Sequence, residues 1–279
     1  MNELPLVSVV VPTYNRKKYV IKAIDSVLRQ TYKNIEIIVM DDCSPDNTSK
    51  AVSEHFGQDL RVKIFKNETN LGFPENLNKG IALSQGKYIA RTDDDDFWSD
   101  NKKLEKQVNF LESHQEYVLT GGGSIWVNEN DKEIFKFLLP EKDEDIRKRI
   151  LSDNCFVHST AVFKKEAFEL AKGYDKKFGT DCDWGLWLEL GKMGKFYNFP
   201  EYFTYYLKWP QNISNFVARD GYKTRIKLYN KYGRYYPGYW KAVFLGWAYY
   251  LHSFLSGGRG FSPIFIKIKR LIFGSPPYK

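Results

Sequence analysis

The sequence has few residues of the kinds that build metal cages or disulfide frameworks. Its 279 residues include three cysteines and four histidines, and none of them follows a CxxC or HxxxH spacing. These counts exclude a structural zinc site and a disulfide scaffold, and they favour a reducing compartment. The chain opens Met-Asn-Glu-Leu-Pro, without the basic and apolar segments of a signal peptide. We therefore expect a cytoplasmic protein.

The sequence also lacks the glycine-rich motifs that cradle phosphate groups in several large enzyme classes. It contains no GxxxxGK[ST], no GxGxxG and no protein-kinase motif set. P-loop NTPases, Rossmann-type dinucleotide enzymes and protein kinases are thereby excluded. Three consecutive glycines at residues 121–123 come too late in the chain for such a role. We expect them to form a flexible or tightly turned loop.

Acidic residues are scarce in the last part of the chain. Residues 1–215 hold 30 Lys and Arg against 33 Asp and Glu, whereas residues 216–279 hold 12 Lys and Arg and a single acid, Asp220. Of the 46 aromatic residues, 17 lie in this basic tail. The net charge of +8 is therefore a property of the tail and does not describe the rest of the protein.

Short β-branched runs alternate with amphipathic segments from the start of the chain. The runs at 6–11, 35–40, 62–65 and 88–92 read as strands, with helical spacing between them. This alternation predicts an α/β fold with a Rossmann-like, mainly parallel sheet flanked by helices. We expect a domain over residues 1–215, with a nucleotide-binding half at 1–100 and an acceptor-binding half at 101–215. Residues 216–279 are expected to form a helical extension.

Carboxylates follow two of the predicted strands. Asp41 and Asp42 end the second strand, and four consecutive aspartates at 93–96, the acidic run, end the fourth. Ligands of open α/β sheets bind beyond the carboxyl ends of the strands. Because adjacent like charges repel, the acidic run indicates a bound cation, and oxygen ligands suit Mn²⁺ or Mg²⁺. A solvated acidic turn before a helix is the alternative. Such a cation would assist group transfer from a nucleotide-linked donor.

Four segments, in their order along the chain, resemble those of the family 2 glycosyltransferases. These enzymes have the GT-A fold and transfer sugars with inversion of configuration at the anomeric carbon. They are VSVVVPTYNR at 7–16, VMDDCSPDNT at 39–48, NLG with NKG at 70–72 and 78–80, and GKYIARTDDDD at 86–96. Each segment alone is a weak signal, but the four together are specific. The resemblance continues less strictly to about residue 215.

The resemblance implies roles in donor binding for residues of these segments. Pro12, Thr13 and Tyr14 would line the base and ribose pocket, and Asp42, beside Asp41, would accept a hydrogen bond from the nucleobase. A pyrimidine such as uracil offers one N3–H donor to a carboxylate, so a UDP-sugar is expected. Asp95 would bind the metal, supported by Asp93 and Asp96. The other expected donor contacts are Asn15, Arg16, Asn70, Gly72, Asn78, Lys79, Arg91, Asp93 and Asp94.

The second half of the chain carries the expected base. The segment TDCDWGLWL at 180–188 resembles the family's acidic segment before a helix, and Asp181 matches the catalytic base. A carboxylate suits this role because the acceptor hydroxyl must lose a proton as it attacks. An N-cap of the following helix is the alternative for Asp181. Expected acceptor or diphosphate contacts are His158, Ser159, Asp183, Trp184 and Lys208.

The tail contains two apolar blocks. The block at residues 239–255 is marginal for spanning a bilayer, because it has only 17 residues and is interrupted by Lys241 and His252. In the block at residues 261–273, basic residues lie between apolar residues at helical spacing. Basic aromatic helices bind anionic lipid surfaces, so we expect peripheral attachment to the inner face of the membrane. The alternative is packing against the catalytic domain or a second subunit, as in a homodimer. A shared membrane surface makes a lipid-linked or glycan acceptor the economical expectation.

Two other functions fit part of the sequence. A nucleotidyltransferase also uses aspartates and Mg²⁺, but the chain lacks a basic glycine-rich loop for a triphosphate. A nucleic-acid-binding protein would use the basic aromatic tail, but would leave the aspartates without a role. We therefore predict a metal-dependent inverting glycosyltransferase with no nucleic-acid partner.

Overall fold

A computed structural model of the chain describes residues 4–209 and 219–255. In its first half, strands and helices alternate as the sequence predicts, and every strand of this half that lies between two others is fully buried because helices cover both faces of the sheet. The strands pair in the order β3-β2-β1-β4, all parallel. The elements are β1 (Val7–Thr13), α1 (Lys17–Leu28), β2 (Ile35–Asp41), α2 (Thr48–Phe56), β3 (Val62–Lys66), α3 (Phe73–Leu83) and β4 (Tyr88–Arg91).

The second half extends the same sheet with mixed directions. The elements are β5 (Phe97–Trp98), α4 (Lys103–Ser113), β6 (Tyr117–Val127), β7 (Glu133–Phe137), α5 (Asp143–Ile150), β8 (Val162–Lys164), α6 (Lys165–Leu170), α7 (Cys182–Leu190) and β9 (Lys195–Leu207), with 3-10 turns at His158–Thr160 and Lys176–Asp181. The order continues β4-β8-β6-β9-β5, with β7 also paired to β6. Only β6 and β9 are parallel in this half. The mainly parallel sheet is thus confined to the first half.

The prediction of a glycine loop at residues 121–123 is wrong. All three glycines lie buried within β6. A side chain at Gly122 would place Cβ 2.4 Å from Phe203, and one at Gly121 would meet Asn198 at the same distance. Glycine is therefore required by close packing between β6 and β9, and not by a turn.

The C-terminal helices α8 (Arg219–Tyr232) and α9 (Tyr239–Leu255) are part of the folded body. Tyr229, Tyr232 and Tyr236 lie in the same apolar core as Trp184 and Trp187 of α7. Tyr236 donates a hydrogen bond to the carbonyl of Leu188 at 2.7 Å. Packing against the catalytic domain, which the sequence left open, therefore holds for α8. The block at 261–273 lies outside the described residues.

Among the residues that the structure describes, no helix is both long and apolar enough to cross a bilayer.

Candidate active site

The loops after β2 and β3 are held by Asp41, the last residue of β2, and by Asp42, which follows it. Asp41 is fully buried and accepts hydrogen bonds from the backbone N–H groups of Ser44 and Ser49, at 2.8 and 3.2 Å. Asp42 accepts from the N–H groups of Leu71 and Gly72, at 2.8 and 2.9 Å. Asp41 thus holds the loop before α2, whereas Asp42 holds the loop before α3.

Four of the predicted donor contacts belong to this framework. Gly72 has a φ of 82° and receives support from the Asn70 side chain, which accepts its N–H at 3.1 Å. Asn78 bonds both backbone groups of Tyr174, donating at 2.9 Å and accepting at 2.8 Å. Lys79 donates to the Asn67 side chain at 2.8 Å. Asn78 and Lys79 therefore contribute their polar ends to protein contacts that join α3 to its surroundings.

The acidic run meets the loop after β1 at the carboxyl edge of the sheet. The N–H of Tyr14 points to Asp94 at 3.4 Å. Asp95 accepts a hydrogen bond from the indole of Trp209 at 3.2 Å, and the guanidinium of Arg16 lies 4.4 Å from the same indole ring. Pro12 and Thr13 are buried at the end of β1, while Tyr14 and Asn15 are exposed. The residues predicted to contact the nucleobase and those predicted to bind the metal thus lie at the same edge of the sheet.

Ser159 and Arg91 contact the carboxylates of the acidic run. The Ser159 hydroxyl donates to Asp96 at 2.5 Å and lies 3.2 Å from Asp93. Arg91 is fully buried and forms an ion pair with Asp93. Burial alone would lower the pKa of Arg91, but the charge of Asp93 raises it above its usual value. Ser159, predicted as an acceptor contact, is buried and contacts two of the aspartates.

The charged forms of the other three carboxylates of the acidic run, those of Asp94, Asp95 and Asp96, are destabilised by their surroundings. Burial raises the pKa of Asp95 to about 6, and the charge of Asp93 adds to the rise. Burial and neighbouring aspartates also raise the pKa values of Asp94 and Asp96. Asp96 Oδ1 is buried and accepts no hydrogen bond from the described residues. Carboxylates in this state favour a nearby cation.

Within residues 4–209 and 219–255, no three acidic, histidine or cysteine side chains converge to form a preformed metal cage. Mg²⁺ and Mn²⁺ are commonly held by one or two protein carboxylates, with substrate phosphates and water completing the shell. The oxygen atoms of Asp95 and the free Oδ1 of Asp96 fit a cation bound in this way.

Two aspartates at the start of α7 lie in different surroundings. Asp181, the predicted base, accepts hydrogen bonds at 3.1 Å on both of its oxygens from Arg225 of α8. Asp183 accepts from the Asn154 side chain at 2.9 Å and from the N–H of Trp184 at 2.7 Å. Burial raises the pKa of Asp183 to about 6, and the charge of Asp181 adds to the rise. Arg225 and Asn154 are contacts that the sequence did not reveal.

Arg91 relates Asp183 to the acidic run. The positive charge of Arg91 acts on Asp183 and on Asp96, in each case opposing the effect of burial on the carboxyl pKa. His158 lies in the same region, where its Nε2 is 2.8 Å from the Tyr174 hydroxyl. Burial, together with Arg91, lowers the pKa of His158 and keeps the ring neutral. Arg91, which is paired with Asp93, therefore also influences Asp183 and His158.

Two further predicted acceptor contacts, Trp184 and Lys208, lie in different surroundings. Trp184 is 2% exposed, and its indole donates to the carbonyl of Ile150 at 2.6 Å, so its ring cannot stack on a sugar. Lys208 lies with Nζ 5.1 Å from the ring of Trp126. Its neighbour Trp209, which contacts Asp95 and Arg16, is better placed to meet a ligand at the acidic run.

Comparisons with known proteins bear on the family and the fold. The sequence matches the family model described as Glycosyl transferase family 2 over residues 8–170. It is 31% identical over 256 residues to an uncharacterized glycosyltransferase of Haemophilus influenzae, covering 85% of this chain and 76% of the relative. It is also 34% identical over 187 residues to WfgD of Escherichia coli, covering 67% of this chain and 70% of WfgD. WfgD is named a UDP-Glc:alpha-D-GlcNAc-diphosphoundecaprenol beta-1,3-glucosyltransferase.

The fold has a solved counterpart in the mannosyltransferase PcManGT of Pyrobaculum calidifontis, determined with GDP-Man and Mn²⁺. The TM-score is 0.65 at 17% identity, and the match covers 99% of this chain and 82% of PcManGT. This likeness confirms the predicted GT-A fold. The match to the family model over residues 8–170 shows that the chain belongs to the family 2 glycosyltransferases.

Proposed function

We propose that the protein transfers a sugar from a UDP-linked donor to a glycan or lipid-linked acceptor of cell-surface polysaccharide synthesis, with inversion at the anomeric carbon. The observation that carries this proposal is the acidic run at the carboxyl edge of the sheet, where Asp95 contacts Trp209 and the buried Oδ1 of Asp96 has no hydrogen-bond partner among the described residues. Inverting transfer needs a group that assists the leaving diphosphate and a base for the acceptor hydroxyl. The name of WfgD, with its UDP-Glc donor and lipid-linked acceptor, supports the same substrate classes.

The proposed donor site is the edge formed by the loops after β1, β2 and β4. Asp42 Oδ2 accepts one hydrogen bond, from Gly72, and can accept another from uracil N3–H. Arg16, in the loop after β1, would supply positive charge for binding the diphosphate. Mn²⁺ or Mg²⁺ would be held by Asp95 and Asp96, and when bound it would offset the negative charge that develops on the leaving diphosphate. The Mn²⁺ complex of PcManGT supports the use of a divalent metal, but not the choice of its ligands.

The proposed base is Asp183, in preference to Asp181. Each oxygen of both residues accepts one hydrogen bond, but Asp181 is held in an ion pair with Arg225, whereas the groups that donate to Asp183, the Asn154 side chain and the Trp184 N–H, are neutral. A carboxyl whose pKa is about 6 is deprotonated at neutral pH and is more basic than an ordinary aspartate. Asp183 would therefore take the proton of the acceptor hydroxyl as it attacks the anomeric carbon in one displacement. Peripheral attachment to the inner face of the membrane would bring the site to a lipid-linked acceptor.

The donor site is tested by the melting temperature of the purified protein with UDP or GDP, each with and without Mn²⁺. A ligand that binds only the folded state raises Tm, and we expect UDP to do so only when Mn²⁺ is present. Asp95→Asn should abolish this metal-dependent rise. The matched control Asp100→Asn, an aspartate outside the acidic run, should retain it. Stabilisation by GDP alone would assign a guanosine donor, and the absence of any metal-dependent rise would refute the donor site.

A further inference from the structure

Helix α9 has an inward and an outward face of different kinds. Ala242, Leu245 and Tyr249 point inward and are buried against α8. The outward face carries four large apolar side chains, spaced by four, three and four residues, which is the spacing of one helical stripe. Their exposed fractions are 79% for Trp240, 64% for Phe244, 49% for Trp247 and 59% for Leu251. We call these four residues the α9 stripe.

A contiguous apolar stripe on a surface helix marks a contact with another molecule or a membrane. The composition of the α9 stripe favours a membrane, since tryptophan and other aromatic side chains concentrate at the bilayer interface. The surrounding charge favours anionic lipid. On α8, Lys223 and Lys227 are exposed, and Lys223 Nζ lies 5.7 Å from the ring of Tyr250 on α9. The chain continues for 24 residues after Leu255, with five basic residues and no acidic one.

A second copy of the chain is a weaker occupant for this face. With about 150–250 Å² for each large aromatic side chain, the exposed parts of the α9 stripe offer roughly 500 Å². A stable protein interface buries about 800 Å² on each partner. The strong positive charge of the tail also disfavours self-association, because like charges would meet.

We propose that the α9 stripe inserts into the headgroup region of an anionic bilayer, with the exposed Lys223 and Lys227 of α8 supplying positive charge for the lipid phosphates. The inference deepens the membrane attachment of the proposed function by naming its surface, and it does not depend on the identity of the donor. The helix would lie in the plane of the interface, where such helices bury their apolar face about 5–10 Å deep.

The test is co-sedimentation of the full-length protein with vesicles of phosphatidylcholine alone or with about 30% phosphatidylglycerol. We expect at least tenfold stronger binding to the anionic vesicles, weakened by high salt. The double variant Trp240→Gln/Trp247→Gln should bind at least tenfold more weakly. A matched control, Leu60→Gln, changes a 93% exposed leucine away from the C-terminal helices and should bind like the unmodified protein.

Two results would overturn the proposal. If the double variant bound anionic vesicles as well as the unmodified protein, basic residues alone would account for attachment. If the protein bound no vesicles but formed a dimer that the double variant abolished, the face would join two copies of the chain. The rise in Tm with UDP and Mn²⁺, measured on each variant, separates these outcomes from a failure of the donor site and shows that the variants are folded.

Discussion

Two aspartates only two residues apart, Asp181 and Asp183, are given different chemistry by partners that are distant in sequence. Arg225, 44 residues further along the chain, takes both oxygens of Asp181. Although burial by itself lowers the pKa of Arg225, the charge of Asp181 raises it above its usual value. Asp183 has only neutral donors, from Asn154 and its neighbour Trp184. Burial raises the pKa of the Asp183 carboxyl to about 6.

The base assignment predicts the behaviour of Asp183→Asn. Loss of a general base typically slows transfer about 10²–10⁴-fold, and we expect this loss with donor binding retained. In the unmodified protein, kcat/KM should fall as the pH drops through about 6, because Asp183 then takes up a proton and cannot accept another. Initial rates between pH 5 and 8 measure both effects.

Stability supplies an independent readout for the same variant. A folded-state pKa above the unfolded value means that the folded protein binds the proton more tightly, so stability falls as the pH rises from about 4 to 6 and stays reduced above it. Asp183→Asn removes the buried charge and should raise Tm at neutral pH. The control is Asp181→Asn/Arg225→Gln, which removes both charges of the ion pair together. Transfer lost in this control and retained in Asp183→Asn would return the base to Asp181.

Among the residues of the site, the sequence predicts what local motifs can encode. The end-of-strand positions of Asp42 and of the acidic run follow from hydrophobic pattern and motif order, and the structure brings them to one edge. The choice between Asp181 and Asp183 depends on Arg225 and Asn154, whose positions are set by tertiary packing. Nothing in the local sequence identifies such partners.

At the scale of single elements, β6 and β9 determine the shape of the second half. These two strands run parallel over most of their length, with one shift of register between Tyr117 and Leu119 and two at the glycines of β6. The sequence of β9, KFYNFPEYFTYYL, contains a proline and little alternation, so its 13 residues were not predicted as a strand. Tertiary pairing with β6 outweighs its weak local signal.

Close packing between these strands predicts the effect of Gly122→Val. The new side chain would meet the ring of Phe203, which is fully buried, with Cβ only 2.4 Å away. Overpacking of this kind costs about 1–3 kcal/mol, and we expect the free energy of unfolding in urea to fall by that amount. Ser124→Ala in the same strand removes a buried hydroxyl that has no hydrogen-bond partner within the described residues and should change stability little. Equal stability of Gly122→Val and the unmodified protein would contradict the packing argument.

At the scale of the whole molecule, the C-terminal helices join the catalytic domain to its proposed membrane surface. Tyr229 and Tyr232 of α8 lie in the same apolar core as the side chains of α7. Arg225 of α8 donates a hydrogen bond to Asp181, just before α7. α9 packs on α8 and carries the α9 stripe on its other side. The sequence predicted helices here from composition, but their contribution to the core depends on contacts with elements far back in the chain.

This shared core predicts that residues 1–215 do not fold independently. Removing α8 and α9 would expose the apolar surface of α7 and leave the carboxylate of Asp181 without Arg225. We expect the shortened chain to be insoluble or to lack a cooperative thermal transition, whereas a chain of residues 1–255 should keep both the transition and the Tm rise with UDP and Mn²⁺. Circular dichroism during heating compares the two. A cooperative transition at the Tm of the full chain in residues 1–215 would instead establish them as an autonomous domain, and α8 would then be an accessory to the site.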